Sequence, residues 1–199
     1  MRKITYALII SALSGIWSLP TAHAEKADKF QKTVVSGTSG GFDIAKNIRT
    51  IFNIELTRGT LFIRAEKGVD TEIPVDKDHP EGGGMTILTG TSNNPVFFKQ
   101  KRDGGPDLWI EGIADRVEYD KATEIVKFYG NAKVRFLDHQ KETSALVGDF
   151  FSYDSPNDYL DLGNSTTGKS VPKGGRVTFT IAPKIAKPES KADSKQEKQ

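Results

Sequence analysis

Two acidic residues in the stretch YDSPNDYLD, Asp154 and Asp158, have a spacing at which carboxylates could assist hydrolysis or bind calcium. The same stretch is rich in Asp, Ser, Pro and Asn, which form turns because they bond the local backbone or fix its dihedral angles. Turn formation therefore explains this stretch better than chemistry does. His79 and His139 also lie in polar, turn-rich segments without ligand-like neighbours.

Other signatures of catalysis are weak. The chain has no HExxH sequence, and EGGGM lacks the Lys-Ser/Thr and the following helix of a phosphate-binding loop. Cysteine is absent, which excludes disulfides, zinc-thiolate sites and thiol catalysis. We therefore expect no enzymatic activity, no cofactor and no metal.

The chain begins with the features of a secretory signal peptide. Arg2 and Lys3 precede an uncharged stretch at residues 4–20, and residues 22–24, AHA, then offer a small-residue cleavage site. The uncharged stretch is shorter than the ~20 residues that a membrane-spanning helix needs. We therefore predict that residues 1–24 are cleaved and that the protein is exported.

The predicted mature chain carries no net charge. Residues 1–24 contain two basic residues and no acidic ones, and the full chain has a formal charge of +2. A nucleic-acid-binding face needs clustered basic residues, whereas Lys and Arg here are interleaved with Asp and Glu. Nucleic acid is therefore not an expected partner.

Composition also divides the mature chain. Residues 183–199 are mainly Lys, Glu, Ser and Pro, with almost nothing apolar to bury, which predicts a disordered tail. Residues 25–182 remain for one folded domain, and this length is sufficient for a hydrophobic core without disulfides.

Strand patterns dominate the predicted domain. GTLFIRAEK, NPVFFKQ, DLWIEGIADRVEYD and RVTFTIAPK are rich in β-branched and aromatic residues and lack helical periodicity. The segments KDHPEGGG, KRDGGPD, LDHQKE, DSPND and KSVPKGG are typical of turns. The pattern predicts an all-β protein, which could be a sandwich, jelly roll, barrel or solenoid.

Two dipeptide patterns each occur three times, and their last two copies stand 34 and 33 residues apart. A small residue precedes an acidic one at Ala65-Glu66, Ala114-Asp115 and Gly148-Asp149, and Gly-Asn or its variant stands at Phe52-Asn53, Gly130-Asn131 and Gly163-Asn164. The period predicts one strand unit stacked about three times, with the last copy incomplete.

The Gly130-Asn131 pair lies inside the alternating stretch IVKFYGNAKVRF. A two-residue turn there would pair Phe128 with Lys133, and both faces would then mix apolar and charged residues. A strand that continues through the pair places Val126, Phe128 and Val134 on one face and the charged residues on the other. We therefore predict one continuous strand with a bend at the glycine.

The order and spacing of these segments carry a resemblance to a known family. From NIELTRGTLFIRAEKGVD through NPVFFKQKRDGGPDLWIEGIADRVEYD, VKFYGNAKVRF and GDFFSYDS to GGRVTFTIAPK, residues 42–184 resemble the OstA-like domain of the LptA family of lipopolysaccharide-transport proteins. The resemblance implies an antiparallel β-jelly roll that is open at both ends and has an apolar lumen for acyl chains. The chain departs from the family at Phe52, where a glycine is usual, and at the insertion TSNN after Gly90.

Alternation and the resemblance together predict which residues face the lumen. The candidate lipid-binding residues are Ile54, Leu56, Leu61, Ile63, Phe98, Val117, Tyr119, Val126, Phe128 and Val134. Phe98 occupies an inward aromatic position of the family, and Tyr119 lies in its DRVEYD motif. A packed core is the alternative role for each residue. Lys127, Lys133 and Arg135 on the opposite face could meet phosphates or form a solvated surface.

The resemblance further implies a periplasmic protein that binds lipopolysaccharide through its lipid A acyl chains and carries it from the inner to the outer membrane. It implies end-to-end assembly with itself, with the inner-membrane transport protein C and with the outer-membrane transport protein D. The expected contacts are edge strands near residues 41–46 and 176–181. An exported structural β-repeat protein is the alternative function, and a hydrolase has weaker support.

Overall fold

The computed structural model describes residues 28–183. The predicted signal peptide, residues 1–24, and the predicted tail beyond Pro183 lie outside the described residues. Within the described range, twelve β-strands form one antiparallel sheet, and no helix has the length and apolar character needed to cross a membrane. The strands are β1 Thr33–Ser36, β2 Ser39–Asp43, β3 Ile48–Arg58, β4 Leu61–Ile73, β5 Gly83–Thr89, β6 Val96–Lys101, β7 Leu108–Ala114, β8 Arg116–Asp120, β9 Ile125–Asp138, β10 Lys141–Asp154, β11 Tyr159–Gly163 and β12 Thr178–Ile181.

The sheet folds over into two layers because its four long strands change neighbours part-way along. In β9, for example, residues 126–129 pair with β8, whereas residues 133–138 pair with β7. Layer A consists of β2, β5, β8 and β11 with one half of β3, β4, β9 and β10; layer B consists of β1, β6, β7 and β12 with the other halves. This is the predicted antiparallel β-jelly roll.

The recurring dipeptides form the corner between the two layers. Strand β9 runs through Gly130 and Asn131 without a break, and both residues have positive φ, at 72° and 46°. The register of β9 with β10 shifts there, so that these two residues stand opposite Asp149 alone. The side-chain amide of Asn131 donates to Asp115 Oδ2 at 2.8 Å. The predicted continuous, bent strand is confirmed, and the bend is a β-bulge.

The other two copies build the corner differently. In the first copy Asn53 alone has a positive φ, 49°, so Phe52 needs no left-handed conformation. The insertion TSNN, residues 91–94, is a turn between β5 and β6, and Thr91 Oγ1 donates to Glu66 at 3.0 Å. In the third copy β11 ends at Gly163, which agrees with an incomplete unit.

Three segment predictions need correction. Gly83 and Gly84 belong to β5, although glycines are typical of turns, and in LDHQKE only His139 and Gln140 form the turn, between β9 and β10. The predicted N-terminal edge strand at residues 41–46 is wrong in its bounds, because residues 44–47 form a turn after β2. Strand β1 extends the same edge of β3.

Candidate functional site

All ten residues predicted to face inward are buried between layers A and B. None has a relative exposure above 4%, and all belong to one apolar cluster. Layer B and its corner supply Ile54, Leu56, Leu61, Ile63, Phe98 and Val134, and layer A supplies Val117, Tyr119, Val126 and Phe128. Their predicted inward orientation is confirmed, and their predicted lipid binding stays a prediction.

The inward residues line up across the strands. Cross-strand partners point to the same face of a sheet, so the register identifies each row. The row across layer B is Leu56, Ile63, Phe98, Gly112, Val134 and Leu146. A row across layer A is Leu88, Val117, Phe128 and Phe151. The apolar interior is therefore continuous from β3 to β10, in the direction that crosses the strands.

Two aromatic rings join the layers at the centre of the interior. Phe98 of layer B and Phe128 of layer A meet edge to face, with ring centroids 5.5 Å apart and an interplanar angle of 82°. This arrangement places the positive edge of one ring against the negative face of the other, and it stabilises the pair beyond simple burial.

The ten candidates leave out nine other residues of the buried cluster. They are Ala65, Leu88, Val96, Ile110, Ala114, Ala132, Leu146, Phe151 and Tyr153. A signal for Tyr153 was present, because the aromatic-acidic pair Tyr153-Asp154 repeats Tyr119-Asp120. Phe151 then follows from alternation along the same strand, two residues earlier.

Polar side chains connect the layers along the strand ends that point away from the corner. Arg58 Nη2, at the end of β3, lies 2.6 Å from Glu124 Oε1, in the turn between β8 and β9. Two further pairs bridge the layers in the same way. We call this set the clasp, and its three pairs are Arg58–Glu124, Gln100–Ser155 and Arg102–Asp158.

The segment before β1 lies against the clasp. Asp28 is buried, and its carboxylate accepts hydrogen bonds from Thr60 N at 2.7 Å, Thr60 Oγ1 at 2.7 Å and Gln100 Nε2 at 3.2 Å. These three bonds satisfy a buried charge with neutral donors, and they hold the start of the described chain across the strand ends.

Tyr119 lies beneath the clasp. The guanidinium carbon of Arg58 is 5.5 Å from the centroid of the Tyr119 ring. Burial raises the pKa of the Tyr119 hydroxyl well above its usual value, and the nearby Arg58 charge opposes this effect. The hydroxyl therefore stays protonated and can act as a hydrogen-bond donor.

The outer face carries the predicted cations. Lys127, Lys133 and Arg135 alternate with the buried residues of β9 and point outward. Arg135 contacts the carboxylate of Glu111 and lies 3.8 Å from that of Glu142. Arg135 is therefore engaged in ion pairs on the outer surface.

The residues that first suggested chemistry lie in turns or next to them. Asp154 accepts a hydrogen bond from Asn157 N at 3.2 Å, and Asp158 has a φ of 50° and bonds Arg102. His139 contacts the neighbouring Asp138. The turn predicted in YDSPNDYLD is confirmed at residues 155–158, whereas Asp154 is the last residue of β10. Over residues 28–183, no three potential ligands gather as a metal site would require.

Sequence reasoning also missed one match to an enzyme motif. Residues 37–41, GTSGG, have the Gly-x-Ser-x-Gly form of a nucleophilic serine. That motif requires a sharp turn from a strand into a helix. Ser39 instead begins β2 and pairs with Phe52 of β3. The local structure therefore differs from that of a nucleophile elbow.

These features define a class of protein: an antiparallel β-jelly roll whose two layers enclose a continuous apolar interior. The family described as "LptA/(LptD N-terminal domain) LPS transport protein" matches residues 35–159. The chain belongs to this family. Members are lipopolysaccharide transport proteins, and the chain is accordingly not an enzyme.

Individual relatives agree with this assignment. The chain is 29% identical to the lipopolysaccharide export system protein LptA of Haemophilus influenzae over 182 residues, which cover 91% of this chain and 94% of that protein. It is 26% identical to LptA of Escherichia coli K12, over 92% of this chain and 87% of that protein.

A solved structure shares the fold. It is the crystal structure of LptH, the LptA-homologous periplasmic component of the conserved lipopolysaccharide transport device from Pseudomonas aeruginosa. The TM-score is 0.63 at 18% identity, over 79% of this chain and 99% of that one.

Proposed function

We propose that the protein is a periplasmic carrier that holds the lipid A acyl chains of lipopolysaccharide between layers A and B as the lipid moves from the inner to the outer membrane. The observation that carries this proposal is the apolar interior, which crosses every strand from β3 to β10 in a member of a lipopolysaccharide transport family. The ten inward residues named above are the proposed lipid-binding residues.

Transfer free energies explain why such a carrier is needed. Burying one methylene group stabilises it by about 0.8 kcal/mol, so one acyl chain of about twelve carbons leaving a bilayer for water would cost roughly 10 kcal/mol. Several chains on one lipid raise this cost to tens of kcal/mol. A continuous apolar interior replaces that barrier with small steps between similar sites, and no chemical reaction is required.

Space for the acyl chains comes from separation of the layers. The lipid-free interior is filled by side chains such as Phe98, Phe128 and Phe151, which are fully buried. The corner is covalently continuous through four strands, whereas the clasp consists only of polar contacts between the layers. The clasp is therefore the side at which the layers part and past which the sugar portion protrudes.

Assembly uses the two ends of the sheet. Strands β1 and β2 form one edge and β11 and β12 the other, and β12 is exposed at all four residues. Phe42 on the first edge and Phe179 and Ile181 on the second are exposed apolar residues. An exposed edge can extend the sheet of another chain through main-chain hydrogen bonds. The proposed partners are further copies of this chain, the inner-membrane transport protein C and the outer-membrane transport protein D.

We also assign this function to residues 25–182, after cleavage of residues 1–24, with residues 183–199 as a tail outside the folded domain. Removal of the signal peptide would leave the first described residue, Asp28, close to the new N-terminus.

Site-specific photo-crosslinking tests the carrier proposal. A photoreactive residue at position 98 or 119 should capture lipopolysaccharide in cells, because both positions face the interior. The same residue at position 133 is the matched control, since Lys133 points outward from the same layer as Phe98. Capture at position 133 with none at positions 98 and 119 would contradict the proposed interior site.

A further inference from the structure

Two buried hydrogen-bond donors next to the clasp have no partner among residues 28–183. They are the Tyr119 hydroxyl and the Nε atom of Arg58. Buried donors are nearly always paired in folded proteins, because an unpaired donor loses its bond to water without gaining another. These two donors therefore weaken the lipid-free fold, and an acceptor from a ligand would relieve that cost.

The donors lie at the boundary between apolar and polar surroundings. On the inner side, Tyr119 pairs with Val126 in the register and belongs to the apolar cluster. On the outer side, Arg58 and Glu124 line a cleft of about 460 Å3, together with Lys29, Phe30, Glu72, Glu81 and Lys121 among others. A ligand with apolar chains inside and a polar group in this cleft would place its connecting atoms beside Tyr119 and Arg58.

The charges around the donors favour a neutral acceptor. Arg58 is already paired with Glu124, and Lys121 in the same cleft is 2.6 Å from Asp70. Asp28 and Asp120 add negative charge near the Tyr119 hydroxyl. A phosphate group would meet these carboxylates and find two of the three cations in the cleft, Arg58 and Lys121, already paired, whereas a carbonyl oxygen would only accept hydrogen bonds.

We propose that Tyr119 and Arg58 form a subsite for the ester and amide carbonyl oxygens that join acyl chains to the sugar of a glycolipid. The Tyr119 hydroxyl and the Arg58 Nε–H donate to these oxygens while the chains lie in the interior. This subsite rests on the proposed carrier function and assigns the chemistry at the junction between chains and sugar.

A pair of matched lipids tests the subsite. Sucrose monolaurate joins a twelve-carbon chain to a disaccharide through an ester, and dodecyl maltoside does so through a glycosidic bond without a carbonyl. The wild-type mature protein should bind the ester roughly five- to tenfold more tightly, the ratio expected for one buried hydrogen bond. Tyr119→Phe should lose most of this preference, because only the Arg58 Nε–H remains to donate to the ester, and it should keep its affinity for the glycoside.

Tyr129→Phe is the control variant, because the Tyr129 hydroxyl donates to Glu118 on the outer face at 2.9 Å. It should keep the wild-type preference. A preference that survives undiminished in Tyr119→Phe overturns the subsite, as does a wild-type protein that binds purified lipopolysaccharide but does not distinguish the two probes. A wild-type protein that binds neither probe nor lipopolysaccharide overturns the carrier function itself.

Thermal unfolding without lipid supplies a second readout. Tyr119→Phe removes an unpaired buried hydroxyl and keeps the ring, so its Tm should equal or exceed that of the wild type. A clear fall in Tm would show that the hydroxyl is already bonded in the lipid-free protein and would overturn its role as a free donor.

Discussion

Phe128 lies against Gly112 so closely that a Cβ atom on the glycine would stand 2.4 Å from Cε1 of the Phe128 ring. The ring occupies space that any other residue at position 112 would need. From there it meets Phe98, the cross-strand partner of Gly112. The glycine therefore allows the two layers to meet through aromatic rings at the centre of the interior.

Gly112→Ala should destabilise the protein by about 1–3 kcal/mol, because the added methyl group overpacks a filled core. Urea unfolding of the lipid-free protein measures this change. Gly41→Ala is the matched control, since no atom lies within 4 Å of the Cβ position at Gly41. Its effect should stay within about 0.5 kcal/mol. Equal effects of the two substitutions would contradict the role of Gly112.

Glu124→Gln should cost about 3 kcal/mol of unfolding free energy, because it leaves the charge of Arg58 buried without a partner. Chemical denaturation at neutral pH measures the loss. Lys46→Gln breaks the exposed pair with Asp43 and should change stability by less than about 0.5 kcal/mol. If both variants lose the same small amount, the Arg58–Glu124 pair does not hold the layers together.

Asn131→Ala should be less stable than Asn131→Gly by about 1–2 kcal/mol. Both variants lose the hydrogen bond to Asp115, so their difference in stability measures the cost of the backbone conformation alone. Alanine adopts a φ of 46° with strain, whereas glycine adopts it without strain. Thermal unfolding of the two variants under one set of conditions provides the comparison. An alanine variant as stable as the glycine variant would contradict the left-handed corner.

Stability should fall in alkaline solution partly through Tyr129. Burial, followed by the bond to Glu118, raises the pKa of Tyr129 to about 12. The unfolded chain has a tyrosine pKa of about 10, so the folded state keeps a proton that the unfolded state loses between these values. The contribution is complete below pH ~10 and disappears as the pH rises through about 12.

Tyr129→Phe should therefore lose less stability than the wild type between pH ~9.5 and ~11.5. Urea unfolding at both pH values measures the difference, and ultraviolet absorbance of the phenolate follows the ionisation directly. Identical declines in the two proteins would show that Tyr129 ionises equally in the folded and unfolded states.

The alternation of apolar and polar residues predicted which side chains face the interior. A strand with one buried face carries apolar residues at every second position, so the pattern is visible in the sequence. The flanks of Gly130-Asn131 place Val126, Phe128 and Val134 together, and a two-residue turn at the glycine would not preserve that division. Strand β10 was harder to recognise, because its first residues, Lys141 to Ser144, are polar and follow a turn. These residues are largely exposed to solvent on both faces of the strand, so apolar and polar residues do not alternate there.

The clasp could not be predicted from the sequence. Arg58 and Glu124 are 66 positions apart, and each lies next to a turn, where a charged residue is ordinary. Their contact depends on how the two layers fold about the corner. The unpaired donors beneath the clasp likewise result from packing, so only the three-dimensional structure reveals them.

The four long strands also determine how the protein comes apart. Each of β3, β4, β9 and β10 contributes one half to layer A and the other half to layer B. Neither layer can unfold while the other stays intact, because the backbone hydrogen bonds of both depend on the same four segments. The domain should therefore lose its structure in a single cooperative transition, and a cut within any of these strands would leave no half that is stable alone.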